Sequence, residues 1–303
     1  MERRRSQREG FARALMDCAG RLEGLTKVRI YWEDGDPWNQ SFSPGSFVKK
    51  GEKDKLSLAL RKISQLPALR ELDLKGHFCL GKELWEESSE EKENVWPSLK
   101  FLRIDMGSTT PDGGWYYTGD PNSEEPNYDD EGRSDWEDSE TEYDSDDSDA
   151  ADTLPEYQWE KKDGMRPQRT FRLTPDDETF GPFMAGMIRA TATTRMPKLE
   201  SLELYIGERE TRMDVNYLAP QATLYANPNT DPADVDFYIG RAPFNKPRWL
   251  LFLDLEVSNW EFPLEIRDAF AETVGKGCVL VRRYFSGGVV SLNKKGLPKR
   301  ELL

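Results

Sequence analysis

Histidine occurs once in these 303 residues and cysteine three times. That is too sparse for the ligand clusters and nucleophile–base pairs on which much enzyme chemistry rests. Cys18, Cys79 and Cys278 are far apart and odd in number, so neither a disulfide framework nor a zinc spacing emerges, which fits the reducing cytoplasm or nucleus. The longest apolar run, Trp249 to Leu253, is far below the roughly 20 residues of a membrane span. Arg3, Arg4, Arg5 and Arg8 open the chain without the apolar core of a secretory leader behind them. No Gly-rich phosphate loop or nucleophile elbow occurs. The single histidine, His77, lies two residues before Cys79, but no third group is placed to orient such a pair, so both read as packing residues. Asp144, Asp146 and Asp149 alternate as in a calcium loop yet lack its glycine at position six and its glutamate at position twelve. No catalytic residue, cofactor or metal is expected.

Charge is present but unevenly placed. The net charge is -14. Between Gly119 and Asp152 sixteen Asp or Glu stand against one Arg, a local -15 that leaves +1 for the rest of the chain. The tract from Asp129 to Asp152 has almost no aliphatic residues and many serines. Burial there cannot offset the entropy of ordering, so a solvated, disordered loop is expected. Its charge could also attract a basic protein segment, an attraction that salt would weaken. Ser134, Ser139 and Thr141 each have an acid three residues on, where phosphates would deepen the charge. The same charge argues against direct nucleic-acid binding.

What recurs is a phrase. Leu66, Leu69, Leu72 and Leu74 follow an apolar template with two, two and one spacers. Trp96, Leu99, Leu102 and Ile104 repeat it, as do Met196, Leu199, Leu202 and Leu204. Leu22, Leu25, Val28 and Ile30 fit as well, and Leu250, Leu253 and Leu255 fit with Pro247 in the first slot. A helical face precedes several of these phrases: Phe11, Ala14, Leu15, Cys18, Ala19 and Leu22 before the first, Leu56, Ala59, Leu60 and Ile63 before the second, Phe183, Met184, Met187 and Ile188 before the fourth. Helix–turn–strand order lets successive strands run parallel with right-handed crossovers.

The expected fold is therefore α/β. It is a short irregular leucine-rich-repeat-like solenoid, with a parallel sheet on one face and helices on the other and a long disordered acidic insert. Residues 1–107 hold the first three units, and 108–174 an insert with an aromatic turn and the acid tract. Residues 175–290 hold the remaining units, including a hairpin from Met213 to Asp236 laid beside the sheet and a closing helix and strand (Ile266–Val274 and Cys278–Phe285). Residues 291–303 are a polar tail expected to fray.

Alternate residues of each strand would point away from the core. These are Lys27/Arg29/Tyr31, Glu71/Asp73/Lys75, Phe101/Arg103/Asp105, Ser201/Glu203/Tyr205 and Phe252/Asp254/Glu256. The middle column, Arg29, Asp73, Arg103, Glu203 and Asp254, pairs opposite charges across four strands and meets like charges at the fifth. It reads either as a self-satisfied charge ladder or as a binding face with an electronegative C-terminal end. Trp115, Tyr116 and Tyr117 follow the turn formers Pro111-Asp112-Gly113-Gly114. They either plug the core or, as aromatics do at interfaces, contact a partner.

Several stretches carry a resemblance: Ile63-Ser64-Gln65-Leu66-Pro67-Ala68-Leu69-Arg70-Glu71-Leu72, Trp96-Pro97-Ser98-Leu99-Lys100, Thr110-Pro111-Asp112-Gly113-Gly114-Trp115-Tyr116-Tyr117, Ala190 to Leu199, and Val257-Ser258-Asn259-Trp260 followed by Glu265 to Val274. Together they resemble the degenerate leucine-rich-repeat region of fungal F-box proteins. The likeness covers most of the chain outside the acid tract. It implies the substrate-binding half of a ubiquitin-ligase substrate receptor. The F-box helices that give the family its name have no counterpart here, since residues 1–20 already belong to the first repeat. The expectation is non-catalytic recognition of an unidentified protein partner, with no membrane and no direct nucleic-acid contact. The alternative is a free-standing acidic, chaperone-like protein that holds basic partners through residues 120–152.

Overall fold

The structure, a computed structural model, describes residues 2–32, 37, 39–49, 51–86, 96–122, 171–207, 213–222, 246–254, 260–273, 279–285 and 300–302. The acid tract, Val235 to Ile239, Glu256 and residues 291–299 lie outside them. The chain runs α1 (Glu2–Ala19), β1 (Lys27–Tyr31), α2 (Lys55–Ser64), β2 (Glu71–Phe78), β3 (Phe101–Met106), β4 (Tyr117–Thr118), β5 (Thr174–Pro175), α3 (Phe180–Ala190), β6 (Ser201–Ile206), β7 (Met213–Leu218), β8 (Arg248–Asp254), α4 (Leu264–Thr273), β9 (Val279–Phe285) and β10 (Arg300–Leu302). A short 3-10 turn, Lys82–Leu84, follows β2.

Eight strands form one mixed sheet in the order β1-β2-β3-β6-β7-β8-β9-β10. β1, β2, β3 and β6 pair in parallel, β7 runs against both neighbours, β8 and β9 are parallel, and β10 is antiparallel to β9. Six strands therefore share one direction.

The first, second and fourth phrases open on the same local step. Leu25, Leu69 and Leu199 close a turn by donating their amides to Leu22, Leu66 and Met196. The chain then enters its strand by donating two successive amides to one carbonyl of the previous unit. Arg70 and Glu71 donate to Thr26, Lys100 and Phe101 to Arg70, and Glu200 and Ser201 to Lys100, all at 2.8–3.1 Å. That repeated pair sets the register, because each strand starts one step beyond the same atom of its neighbour. Val28, Leu72, Leu102 and Leu202 consequently lie side by side, as do Ile30, Leu74, Ile104 and Leu204.

The sheet residues of the main core cluster lie on this one face among the described residues, continued by Tyr217 and Val215 of β7 and by Trp249 and Leu251 of β8. Helices cover it. α2 buries Leu56, Ala59, Leu60 and Ile63, while α3 buries Phe183, Met184, Met187 and Ile188. α4 sets Phe270 edge-on to Trp249 at 5.5 Å. Burying each such side chain contributes about 1.5–3 kcal/mol. Asp54 caps α2 by accepting from the Ser57 amide at 2.9 Å.

Three expectations change. The strand at Met213 is not laid beside the sheet; β7 is built into it between β6 and β8, because its alternation of Met213, Val215 and Tyr217 supplies core residues in register. On α1 Phe11, Leu15 and Ala19 of the expected stripe pack toward the core and are joined there by Arg8 and Ala12, whereas Ala14 and Cys18 face out. Arg8 turns inward because its guanidinium pairs with Asp54 at 2.8 Å and also donates to the Cys79 carbonyl. Arg300–Leu302, assigned to a fraying tail, pair with Val279–Val281.

Candidate functional site

The face away from the helices carries the predicted charge column. Arg29, Asp73, Arg103 and Glu203 are direct Cα partners across β1, β2, β3 and β6. At the β1 end the ion pairs are laid in depth. Arg29 meets Asp73 at 3.3 Å, Lys75 meets the same carboxylate at 3.6 Å, and Lys27 pairs with Glu71. The Asp73 side chain is only 5% exposed, whereas Arg29 is 61% and Lys75 45% exposed. Solvent therefore meets cations with the carboxylates beneath them. Tyr31, 71% exposed, completes this end.

Toward β6 the same column sinks. Arg103 is half-buried and lies over the Tyr205 ring at 5.0 Å. Glu203 is fully buried and accepts from the Tyr205 hydroxyl at 3.2 Å and from Ser201 Oγ at 3.4 Å. Burial, then the charge of Glu203, pushes the Tyr205 phenol well above its ordinary range. Beyond it Asn216, Leu218, Arg248 and Leu250 are buried as well. The Arg248 guanidinium donates to the Ala219 carbonyl at 3.1 Å and to that of Ala222 at 2.5 Å, and burial lowers its pKa. Ser201 and Glu203, expected in solvent, are buried instead.

Asp254 does not continue the column. Glu203 pairs with Asn216, and Asn216 with Leu250. Asp254 is four residues further along β8, opposite Phe285, a displacement of about 13 Å at the usual strand rise. The repeat template placed Leu253 where Leu72 sits, but pairing with the inserted β7 sets the register of β8 instead.

The aromatic turn takes its packing reading. Trp115, Tyr116 and Tyr117 are 7%, 2% and 2% exposed, so of the two readings they follow the plug and are not open to a partner. The Tyr117 hydroxyl donates to the Ile206 carbonyl at 3.2 Å, and that of Tyr116 to the Leu80 carbonyl. Trp115 stacks under the Arg172 guanidinium at 5.2 Å. These rings close the sheet at the carboxyl ends of β2, β3 and β6. Cys79 is buried with its Sγ on the Thr109 carbonyl at 3.3 Å, while His77 sits at φ 60° in an irregularity that shifts the register between Leu74 and Phe78. The neighbouring Gly76 has φ 98°, and a Cβ there would lie 2.6 Å from the Trp32 carbonyl oxygen.

Sequence reasoning missed one feature. A cleft of about 550 Å³ opens at the carboxyl ends of β2 and β3, between the segment 46–54, the turn at 81–83, the loop at 110–112 and the start of α3. Glu52, Asp54, Glu83, Asp112 and Glu178 line it with Lys49, Lys82 and Tyr116. Burial raises the Glu83 carboxyl above its ordinary range, and the charge of Asp54 adds to that. Burial also holds the Tyr116 phenol well above its usual value. Asp54 is already committed to Arg8 and to Ser57, and Asp112 accepts from Thr110 Oγ1 at 2.5 Å. These carboxylates come from four separated loops, so no spacing in the sequence announces them. Among the described residues no group of three or more His, Cys, Asp or Glu could hold a metal ion, and no helix is long and apolar enough to cross a membrane.

No protein-family model matches this chain, and no curated protein or solved structure is similar enough to match.

Proposed function

We propose that this protein is a non-catalytic recognition scaffold. It is a short, irregular leucine-rich-repeat-like array whose open sheet face meets a protein partner, similar to the substrate-binding region of the fungal F-box proteins that its Pro-x-Leu phrases resemble. The observation that carries the reading is the column Arg29–Asp73–Arg103–Glu203, repeated in register on four consecutive parallel strands and open to solvent at its β1 end. Repetition of one step builds a rigid platform, and alternate residues of each strand become surface that varies without disturbing the core. Within that reading the accessible, cationic end at β1–β3 takes the contact, and the buried end at β6–β8 serves the fold.

Proximity labelling with mass spectrometry tests this. Replacing Lys75 and Arg103 together by Glu removes the labelled neighbours while the circular dichroism of the protein is kept. An unchanged neighbour set refutes the face as the contact. The local charge of -15 between Gly119 and Asp152 favours a second reading, a lure for basic segments. Deleting residues 120–152 leaves the neighbours in place under the first reading and removes them under the second.

A further inference from the structure

The cations of the open sheet face differ in what they already hold. Lys27 pairs with Glu71, while Arg29 and Lys75 share the Asp73 carboxylate. Arg103 lies between Asp73 and Glu203 by register. Yet among the described residues no carboxylate comes within ion-pair distance of its guanidinium. Asp73 is matched by its two cations, and Glu203 accepts from Ser201 and Tyr205. Arg103 turns instead over the Tyr205 ring, 5.0 Å from its centroid, and its Nε is buried without a hydrogen-bond partner.

That placement is fixed from below. The Tyr205 hydroxyl donates to the buried Glu203 at 3.2 Å, which holds the ring in place. A guanidinium laid on such a ring has its donor fork already oriented and loses little freedom when the fork is taken up. A planar fork of N–H donors matches a carboxylate, which it binds through two parallel hydrogen bonds. Arg and Tyr are also among the residues that most often dominate interfaces. Phe101, two residues earlier on the same face, is half-buried and offers apolar surface beside the fork. Asp105, two residues later, is half-buried too and repels a second acid.

We propose that Arg103, seated on Tyr205, anchors the recognition face by taking a single carboxylate of the partner that has an apolar group next to it. The proposal rests on the reading of this protein as a recognition scaffold and names the chemistry its partner presents.

The probes are benzoate, benzamide and benzamidinium, which share a ring and carry a negative, a neutral and a positive head. Each is titrated into the whole protein while the ring resonances of Tyr205 are followed by NMR. Benzoate is expected to shift them at a concentration about tenfold below that needed for benzamide, because its hydrogen bonds are charge-assisted, and benzamidinium is expected to leave them unmoved. Arg103→Lys keeps the charge but loses the fork, and should lose most of that preference. Lys75→Gln removes an equal charge from a cation that already has its acid, and should leave the preference within about twofold. With Arg103→Glu the order reverses and benzamidinium is preferred, a gain that a misfolded variant cannot show.

Equal responses to benzoate and benzamide overturn the proposal. So does full preference in Arg103→Lys, or a loss in Lys75→Gln as large as in Arg103→Lys, since either reduces the effect to bulk charge. If benzoate fails while the variant with Lys75 and Arg103 both replaced by Glu still loses its neighbours, the carboxylate contact falls and the recognition scaffold stands. If benzoate behaves as expected while that variant keeps its neighbours, the scaffold reading falls, and with it the role of Arg103 as anchor.

Discussion

The two ends of one sheet face are built from the same alternation and behave as opposites. At β1 and β2 the column is Arg29 and Asp73, with cations outermost. At β6 and β7 it is Glu203 and Asn216, both buried. Their partners differ accordingly. Asp73 is held by two flexible, solvated cations, while Glu203 is held by Ser201 and by a phenol that burial keeps protonated. A charge alternation along a strand therefore defines which residues share a face, and the cover over that face decides whether they are surface or interior. Exposed ion pairs contribute at most about 1 kcal/mol each, so the β1 end can be devoted to contact. The β6 end cannot be altered so freely.

Four substitutions break or sharpen this contrast. The largest effect is expected from Leu202→Ala on β6, about 2–5 kcal/mol for a cavity in a fully packed row. Val28→Ala, at the half-covered end of the same row, should cost less than half as much in the same urea titration. Equal losses would show that the core is as closed at β1 as at β6. Next is Tyr116→Phe, which leaves the buried Leu80 carbonyl without its donor and should lower stability by about 1–3 kcal/mol. A neutral result would return this ring to the surface role that its sequence context allowed. Lys27→Ala, which removes the solvent-facing pair with Glu71, should change stability by no more than about 1 kcal/mol, an effect that high salt abolishes.

The smallest effect concerns the cleft. The folded carboxyl of Glu83 holds its proton above the ordinary range, so its favourable contribution is complete in acid and declines as pH rises through that raised value. Glu83→Gln should therefore gain thermal stability relative to the parent at pH 8 and show no such gain at pH 4. The opposite ordering would mean that Glu83 is stabilised as an anion, by Lys82 or the adjoining amides.

Much of this contrast was legible in the residues. Leu72, Leu102 and Leu202 fall in one row because each holds the same place in its phrase and each strand starts on one carbonyl of the unit before it, and a repeated phrase is written in local sequence. The helices α2, α3 and α4 were legible for the same reason, through apolar residues three and four apart. β7 was not, because an antiparallel strand inserted into a sheet has the same period as a hairpin lying beside it. That insertion also took Asp254 out of the column, since the register of β8 is a long-range property. Exposure failed at Glu203, where the phrase around Leu202 gives the direction of a side chain and nothing of what lies over it. The Trp115–Tyr117 cluster could be read as plug or contact from composition, and only burial separates those readings. The cleft assembled from Glu52, Glu83, Asp112 and Glu178 depends on loops that no pattern links.

Amide-resolved native-state hydrogen exchange tests the contrast most directly, because it reads both ends of the sheet in one sample. The amide of Arg29, which points away from β2, is predicted to exchange readily, while those of Val28 and Ile30, and of Leu202 to Leu204, exchange only on larger unfolding. If Arg29 proves as protected as Leu204, the edge is already occupied and the accessible recognition end described here does not exist.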